Sequence, residues 1–179
     1  LDFAKFHKTA EKQLYPMFRN ALTKSTKMVS TWVALHGTEG VPVSTIIDRN
    51  VWSEVYPKAY QLIGMKMARN EFYRQRRTDG GTKSSAIDFL IDVWSGKLRT
   101  AAIEYVQKLA SSLNDTTVRL LEKALGDVNQ LALDKDGRIR IFNKDLVDIN
   151  KGRGLTISRT ETTTIANLGK DIAARSYIE

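Results

Sequence analysis

The fold of this chain is decided by one segment, Gly154-Leu155-Thr156-Ile157-Ser158-Arg159-Thr160-Glu161-Thr162-Thr163-Thr164-Ile165-Ala166-Asn167-Leu168-Gly169. At helical spacing, small and apolar residues of this segment and of the residues after it fall on one face: Ser158, Thr162, Ile165, Ala166, Gly169, Ile172, Ala173 and Ser176. Because small side chains let a second helix approach closely, this stripe predicts a buried helix face within a bundle. We expect the helix to occupy about residues 154–178.

Two charged residues stand beside the stripe in a threonine-rich turn. Arg159 and Glu161 are two positions apart, so on a helix they point to different sides and cannot simply pair with each other. The threonines around them are β-branched and lower the helix propensity: Thr160, Thr162, Thr163 and Thr164. A packed bundle helix is the simpler interpretation of this turn. The alternative is that each charge meets a specific partner on a neighbouring helix or on another subunit.

Apolar residues recur at helical spacing through most of the remaining chain. The pattern predicts helical stretches at 2–36, from Ser44 or Asp48 to 77, from Ser84 or Ser85 to 112, and from Asn114 or Asp115 onward. Pro16 and Pro57 predict kinks or breaks in the first two stretches, and Gly96 is a weak point at which the third could divide. His36-Gly37 and Glu39-Gly40 supply the stop signal of the first stretch, and 78–82 is expected to be a flexible loop.

The segment 134–142 is the part of the sequence with strand periodicity. Asp134-Lys135-Asp136-Gly137 is predicted to form a turn, and Arg138-Ile139-Arg140-Ile141-Phe142 then alternates between polar and apolar residues. A calcium loop of the EF-hand type is the less favoured interpretation, since Ala132 and Asn143 stand where the first and last carboxylate ligands are required. A short helix at 143–149 would follow the strand.

The predicted fold is therefore mainly α, a multi-helix bundle of long, partly kinked helices with one short β-strand or hairpin near 138–142. The 179 residues fit one domain, 1–179, which could be sub-divided into N-terminal helices at 1–77 and a helical core at 84–179. Since the sequence opens on Leu1 and not on Met, we expect it to be truncated at one or both ends.

The composition limits the class of function. The chain has 42% hydrophobic and 27% charged residues, as globular proteins do, and its lack of cysteine excludes disulfides, thiolate catalysis and cysteine-based zinc sites. No apolar run approaches the roughly 18–20 residues that span a bilayer, so we expect no membrane partner. A formal net charge of +8 favours polyanions, nucleic acid first, with a merely solvated basic surface as an equal alternative.

The sequence offers no constellation of residues for catalysis, for a cofactor or for a metal. His7 and His36 lie far apart, and a zinc site would need three or four ligands, so structural roles are favoured for both. Phosphate-binding loops, dinucleotide-binding glycine motifs, H-E-x-x-H and G-x-S-x-G are all missing. We therefore predict that the chain is not an enzyme and that it has no catalytic, cofactor-binding or metal-binding residues.

A basic cluster near the end of the second helical stretch is the candidate for phosphate or DNA contact. It consists of Arg69, Arg74, Arg76 and Arg77, with Phe72 and Tyr73 interleaved. The alternative is a solvated helix end whose cations suit the negative end of the helix dipole. No pattern typical of a recognition helix is present, so any DNA contact is expected to be to phosphates and independent of sequence.

The segment 156–169 resembles the I-A-R-T-E-x-x-x-A-x-N-x-G segment of phage minor head proteins, the head-morphogenesis family named after the Mu phage F protein. The resemblance is carried by Ile157, Arg159, Thr160, Glu161, Ala166, Asn167 and Gly169, with Ser158 where the family usually has Ala. Upstream, Leu113-Asn114-Asp115-Thr116-Thr117 with Leu120 and Leu121 is similar to the Thr-Thr helix start of the family. The resemblance covers roughly 84–178, and the strand expected near 138–142 departs from it.

This resemblance implies a structural minor capsid protein that associates with the portal vertex during head assembly and can influence DNA packaging or ejection. The implied partners are the portal protein and other head proteins, and the resemblance is compatible with multiple copies per virion. Packaged DNA is expected as a further partner through non-specific electrostatics, which follows from the net charge of +8 and not from the motif. The implied location is the virion, after the host cytoplasm during assembly. The Arg159-Thr160-Glu161 turn would either stabilise the bundle or contact the portal. Two alternatives stay open, namely a sequence-independent DNA-binding module and a fragment of an enzyme whose catalytic domain lies outside these residues.

Overall fold

A computed structural model describes residues 3–78 and 86–178 as a helical bundle. The helices are α1 (Phe3–Ser25), α2 (Lys27–His36), α3 (Val43–Ile46), α4 (Val51–Ala59), α5 (Met65–Thr78), α6 (Ala86–Asn129) and α7 (Lys135–Ile178), with a π-helical turn at Tyr60–Gly64 between α4 and α5. The mainly α prediction is confirmed. No helix in the described ranges is both long and apolar enough to cross a membrane.

The predicted strand or hairpin near 138–142 is wrong, because these residues belong to α7. Asp134 Oδ1 accepts a hydrogen bond of 2.8 Å from the Gly137 backbone N–H. Asp134 therefore caps the start of α7, and residues 134–137 begin a helix instead of forming a turn. Phe142 and Leu146 are buried, and Ile139 packs beside them at helical spacing. Five alternating residues are too few to separate period 2 from one face of a helix, and the longer pattern decided the outcome.

The breaks in the helices also differ from those expected. α1 continues through the exposed Pro16 and ends at Ser25, just before the buried Thr26. Pro57 lies inside α4 and is followed by the π-helical turn three residues later, so the hydrogen-bond pattern changes without a break in the helix. α6 runs unbroken through Gly96 and Asn114, since one apolar face continues across both positions and packs along α7.

The stop signal after α2 is confirmed at both glycines. Gly37 and Gly40 have φ angles of 99° and 65°, which side chains with a Cβ rarely adopt. The Gly37 N–H donates a hydrogen bond of 2.8 Å to the Val33 carbonyl and ends α2. The flexible loop expected at 78–82 and the N-cap expected at Ser84 or Ser85 lie outside the described residues, except for Thr78 at the end of α5.

The two longest helices form the frame of the bundle. α6 and α7 have 44 residues each, roughly 65 Å at 1.5 Å per residue, and a short connection makes them a hairpin. α7 also packs against α1 and α5 and thereby joins most of the elements. One hydrophobic cluster surrounds Trp52, Tyr56 and Trp94, and a second one lies nearer the hairpin connection around Val33 and Phe142.

Candidate functional site

The stripe of small residues on α7 is buried, as predicted. Ser158, Ile165, Ala166 and Ala173 are 0% exposed and Thr162 is 2% exposed. Gly169 lies directly against the π-helical turn: a Cβ built on it would overlap the Gly64 carbonyl oxygen and come within 3.0 Å of the Gly64 Cα. The backbones of α7 and of the turn are therefore in contact. They can approach this closely because Gly169 has no side chain.

The charges of the threonine-rich turn point to different helices. Arg159 Nε donates a hydrogen bond of 3.0 Å to Glu11 Oε1 on α1, and Glu161 Oε1 accepts one of 3.2 Å from the Tyr105 hydroxyl on α6. This is the arrangement expected from their spacing, with partners on neighbouring helices. The two contacts differ in environment, because the Arg159 side chain is 63% exposed whereas Glu161 is buried. An exposed ion pair such as Arg159–Glu11 stabilises a protein only weakly.

Glu161 is a buried carboxylate without a cationic partner. The residue is 2% exposed, and its second oxygen, Oε2, has no hydrogen-bond partner. Burial raises the pKa of this carboxyl to about 7, and the hydroxyls of Tyr105 and Tyr56, which stabilise the charged form, oppose the effect only in part. The Tyr56 hydroxyl faces the carboxylate but makes no complete hydrogen bond. Glu161 therefore exchanges its proton near neutral pH inside the bundle.

Three tyrosine rings surround this carboxylate. Tyr56, Tyr60 and Tyr105 contact one another with ring centroids between 5.8 and 6.3 Å apart. Burial first, and then the nearby Glu161 carboxylate, raise the pKa of all three hydroxyls, so these groups stay protonated. The cluster can donate hydrogen bonds to Glu161 but cannot accept its proton.

A second polar contact lies beside the tyrosine cluster. Trp52 Nε1 donates a hydrogen bond of 2.8 Å to Asn114 Oδ1, and Asn114 is 2% exposed. Arg153 of α7 reaches α6, and its NH2 group donates a hydrogen bond of 3.1 Å to the Leu113 carbonyl. Burial lowers the pKa of the Arg153 guanidinium. Asn114 belongs to the upstream segment of the family resemblance, so α4, α6 and α7 meet at residues that this resemblance includes.

Sequence reasoning identified Glu161 but missed its surroundings. The sequence pattern assigns no polar role to Tyr105, Tyr56 or Arg153. The sequence gives little indication of these roles. Tyr56 occupies an apolar position at helical spacing, and Arg153 has the pattern of a surface cation in a glycine-containing stretch. Only the packing of α6 against both α4 and α7 brings their polar atoms together.

The predicted basic cluster does not form one free cationic surface. Arg74 makes a bidentate pair with the buried Glu71, with distances of 2.7 and 3.0 Å, and this pair lowers the Glu71 pKa. The Arg76 guanidinium lies 5.5 Å from the centre of the Phe72 ring. These two arginines thus stabilise α5 itself. Arg69 and Arg77 are exposed and have no partner among the described residues.

The described part of the chain contains no group of three or more His, Cys, Asp or Glu residues that could hold a metal ion. His7 contacts the rings of Phe3 and Phe6, and His36 lies 4.7 Å from the Trp32 ring. Both histidines are therefore in aromatic surroundings, which fits the structural roles expected for them.

Comparison with protein-family models, with curated proteins and with solved structures finds no match to this chain. The resemblance to the head-morphogenesis segment therefore depends on the residues quoted above and on their positions in the bundle.

Proposed function

We propose that this protein is a structural minor component of a phage head, which associates with the portal vertex during assembly and influences DNA packaging or ejection. One observation carries the proposal: the residues that resemble the head-morphogenesis segment divide into a buried set and an exposed set on α7. The buried set is Ile157, Glu161, Ala166 and Gly169, and the exposed set is Arg159, Thr160 and Asn167.

The buried set has an architectural role in this proposal. Gly169 allows contact with the backbone of the π-helical turn, and Glu161 joins α7 to Tyr105 of α6. In this proposal these residues hold the helices of the bundle together and act on no substrate. The proposed activity is accordingly binding and not catalysis.

The exposed set is the proposed contact with the portal or with another head protein. Thr160 and Asn167 are seven positions apart, so they lie on the same side of α7, and Arg159 is next to Thr160. The Thr160 hydroxyl donates a hydrogen bond of 3.2 Å to the Thr156 carbonyl of its own helix. Its methyl group and the Asn167 amide are left for a partner. Packaged DNA is the second partner of this proposal, through the non-specific attraction of a chain with a net charge of +8.

Co-sedimentation with portal rings and with procapsids tests the proposal. Wild-type protein is expected to sediment with both, and Thr160→Arg with Asn167→Arg is expected to abolish this without loss of helical circular dichroism. Thr31→Arg on α2 is the matched control, because Thr31 is also exposed and its hydroxyl also donates to the carbonyl four residues earlier. Absence of the protein from purified phage particles would refute the proposal.

A further inference from the structure

A groove of about 700 Å³ lies between the end of α1, the start of α2 and the first half of α7. Arg19, Lys24 and Lys27 line one side, and Asn143 and Val147 line the other. None of the residues that line the groove is acidic, and none is aromatic. It is thus a cationic groove on a chain that is already strongly basic.

The α7 side of the groove also carries cations. Lys144 and Lys151 are exposed and stand three positions before and four positions after Val147, which makes them its neighbours on the helix surface. Neither these two lysines nor Arg19 and Lys27 have an ion-pair partner among the described residues. Arg19 and Lys27 therefore line the groove without an ion-pair partner, and Lys144 and Lys151 lie next to Val147 beside it.

Acidic groups reach this region at its edges only. Lys24 pairs with Glu54 at 2.8 Å, and Asp48 also acts on the Lys24 ammonium group. Asp148 lines a different groove, together with Asp145 and other residues, but it lies four positions after Lys144 and three before Lys151 and is therefore also a neighbour of both lysines on the helix surface. α7 therefore separates a basic groove from a more acidic one, and an anion would be attracted to the basic side.

The floor of the basic groove provides hydrogen-bonding groups beside an apolar surface. Asn150 is 5% exposed; its Nδ2 donates to Thr26 Oγ1 at 2.9 Å, while its Oδ1 has no partner. Ser30 donates to Asn143 Oδ1 at 3.3 Å, and Val147 is 54% exposed. The unpaired Asn150 Oδ1 is an acceptor and cannot hydrogen-bond to an anionic group, so the attraction for an anion comes from the cationic walls, and Val147 adds an apolar contact beside them.

We propose that this groove binds the sugar–phosphate backbone of double-stranded DNA without regard to sequence. Lys144 and Lys151 are about 10 Å apart along the helix, which spans about three phosphates of one strand at 3.4 Å each. Single-stranded nucleic acid fits less well because the groove has no aromatic side chain on which bases could stack. The choice of DNA as the ligand rests on the proposed function. The DNA contact is assigned to this groove and not to the α5 arginines, because Arg74 and Arg76 contact Glu71 and Phe72 of their own helix.

The test is the salt dependence of binding to a fluorescent duplex of about 24 base pairs, measured by anisotropy between about 50 and 200 mM salt. Arg19→Ala with Lys27→Ala is expected to reduce the slope of log affinity against log salt by about two, equally for AT-rich and GC-rich duplexes. Arg69→Ala with Arg77→Ala removes the same charge from α5 and is the matched control, expected to leave the slope nearly unchanged. Circular dichroism and thermal unfolding check that both variants are folded.

Three results would overturn the inference. Equal losses in the two variants would mean that the overall field, and not the groove, attracts DNA, and a loss confined to the α5 variant would assign the contact to α5. Competition by polyglutamate as strong as that by duplex DNA at equal charge would assign the groove to an acidic protein segment. Co-sedimentation with portal rings is measured separately, so a protein that binds portals but not DNA would lose this inference and keep the proposed function.

Discussion

Replacing Glu161 with Gln is expected to stabilise the protein at neutral and alkaline pH. The residue is 2% exposed, and burial raises its carboxyl pKa from 4.5 to about 7. The native state therefore keeps this proton to a higher pH than the unfolded chain does. As a result, the contribution of Glu161 to the free energy of unfolding falls as the pH rises from 4.5 to about 7, and the loss is complete above that range.

The size of the effect follows from the two pKa values. The interval between 4.5 and about 7 corresponds to roughly 3 kcal/mol, at about 1.4 kcal/mol for each pH unit. Gln has nearly the same volume and does not ionise, so it removes this loss. Its amide oxygen can accept the Tyr105 hydrogen bond, and its amide N–H can donate to the Tyr56 hydroxyl, which has no partner in the wild type.

Urea unfolding at a series of pH values from about 4.5 to 8 provides the measurement. The quantity of interest is the free energy of unfolding of the variant minus that of the wild type, in which the contributions of all other titrating groups cancel. This difference is expected to rise by roughly 3 kcal/mol across the series. Glu161→Ala, in contrast, is expected to impair folding at every pH, because it leaves a cavity and deprives the Tyr105 hydroxyl of its acceptor.

Glu11→Gln is the matched control, because Glu11 is the carboxylate that pairs with Arg159 at the surface of the same region. Its difference from wild type is expected to stay below about 1 kcal/mol throughout the series. A Glu161→Gln difference that does not change with pH would refute the reasoning, and so would one that falls as the pH rises.

Four further substitutions test individual contacts of the bundle. Gly169→Ala forces a Cβ into the backbone of the π-helical turn and is expected to lower the free energy of unfolding by about 1–3 kcal/mol. Gly96 has open space around it, so Gly96→Ala is expected to raise the free energy of unfolding by up to about 1 kcal/mol. Equal effects of the two substitutions in urea unfolding would contradict the close approach at Gly169. Trp52→Phe leaves the buried Asn114 oxygen without its donor and is expected to cost about 1–3 kcal/mol, and a neutral thermal-unfolding result would count against that hydrogen bond. Arg159→Ala breaks only an exposed ion pair, so a loss above about 1 kcal/mol would show that this side chain does more than pair with α1.

The candidate site was predictable where it depends on spacing along one helix. The positions of Arg159 and Glu161 two residues apart imply partners on different helices, and the structure supplies Glu11 and Tyr105 in those roles. Which charge would be buried did not follow from the spacing. That outcome depends on the α6 helix, which covers Glu161 and leaves Arg159 at the surface.

The sequence by itself determined the features that arise within a short stretch of chain. These are the helical class, the end of α2 at Gly37, and the buried stripe of small residues around Ala166 on α7. Each of these features depends on the period of the α-helix or on the backbone freedom of glycine. None of them requires a residue that is distant in the chain.

The tertiary structure decided what depends on residues far apart in the chain. α7 extends through 138–152, since Phe142 is buried against α2 and α6 there, whereas a window of five residues shows only alternation. The proton affinity of Glu161 and the basic groove of Arg19 and Lys27 likewise could not be predicted from the sequence. A pKa depends on the polarity and charge around a group, and a groove depends on the gap between packed helices; both are set only when the whole bundle has formed.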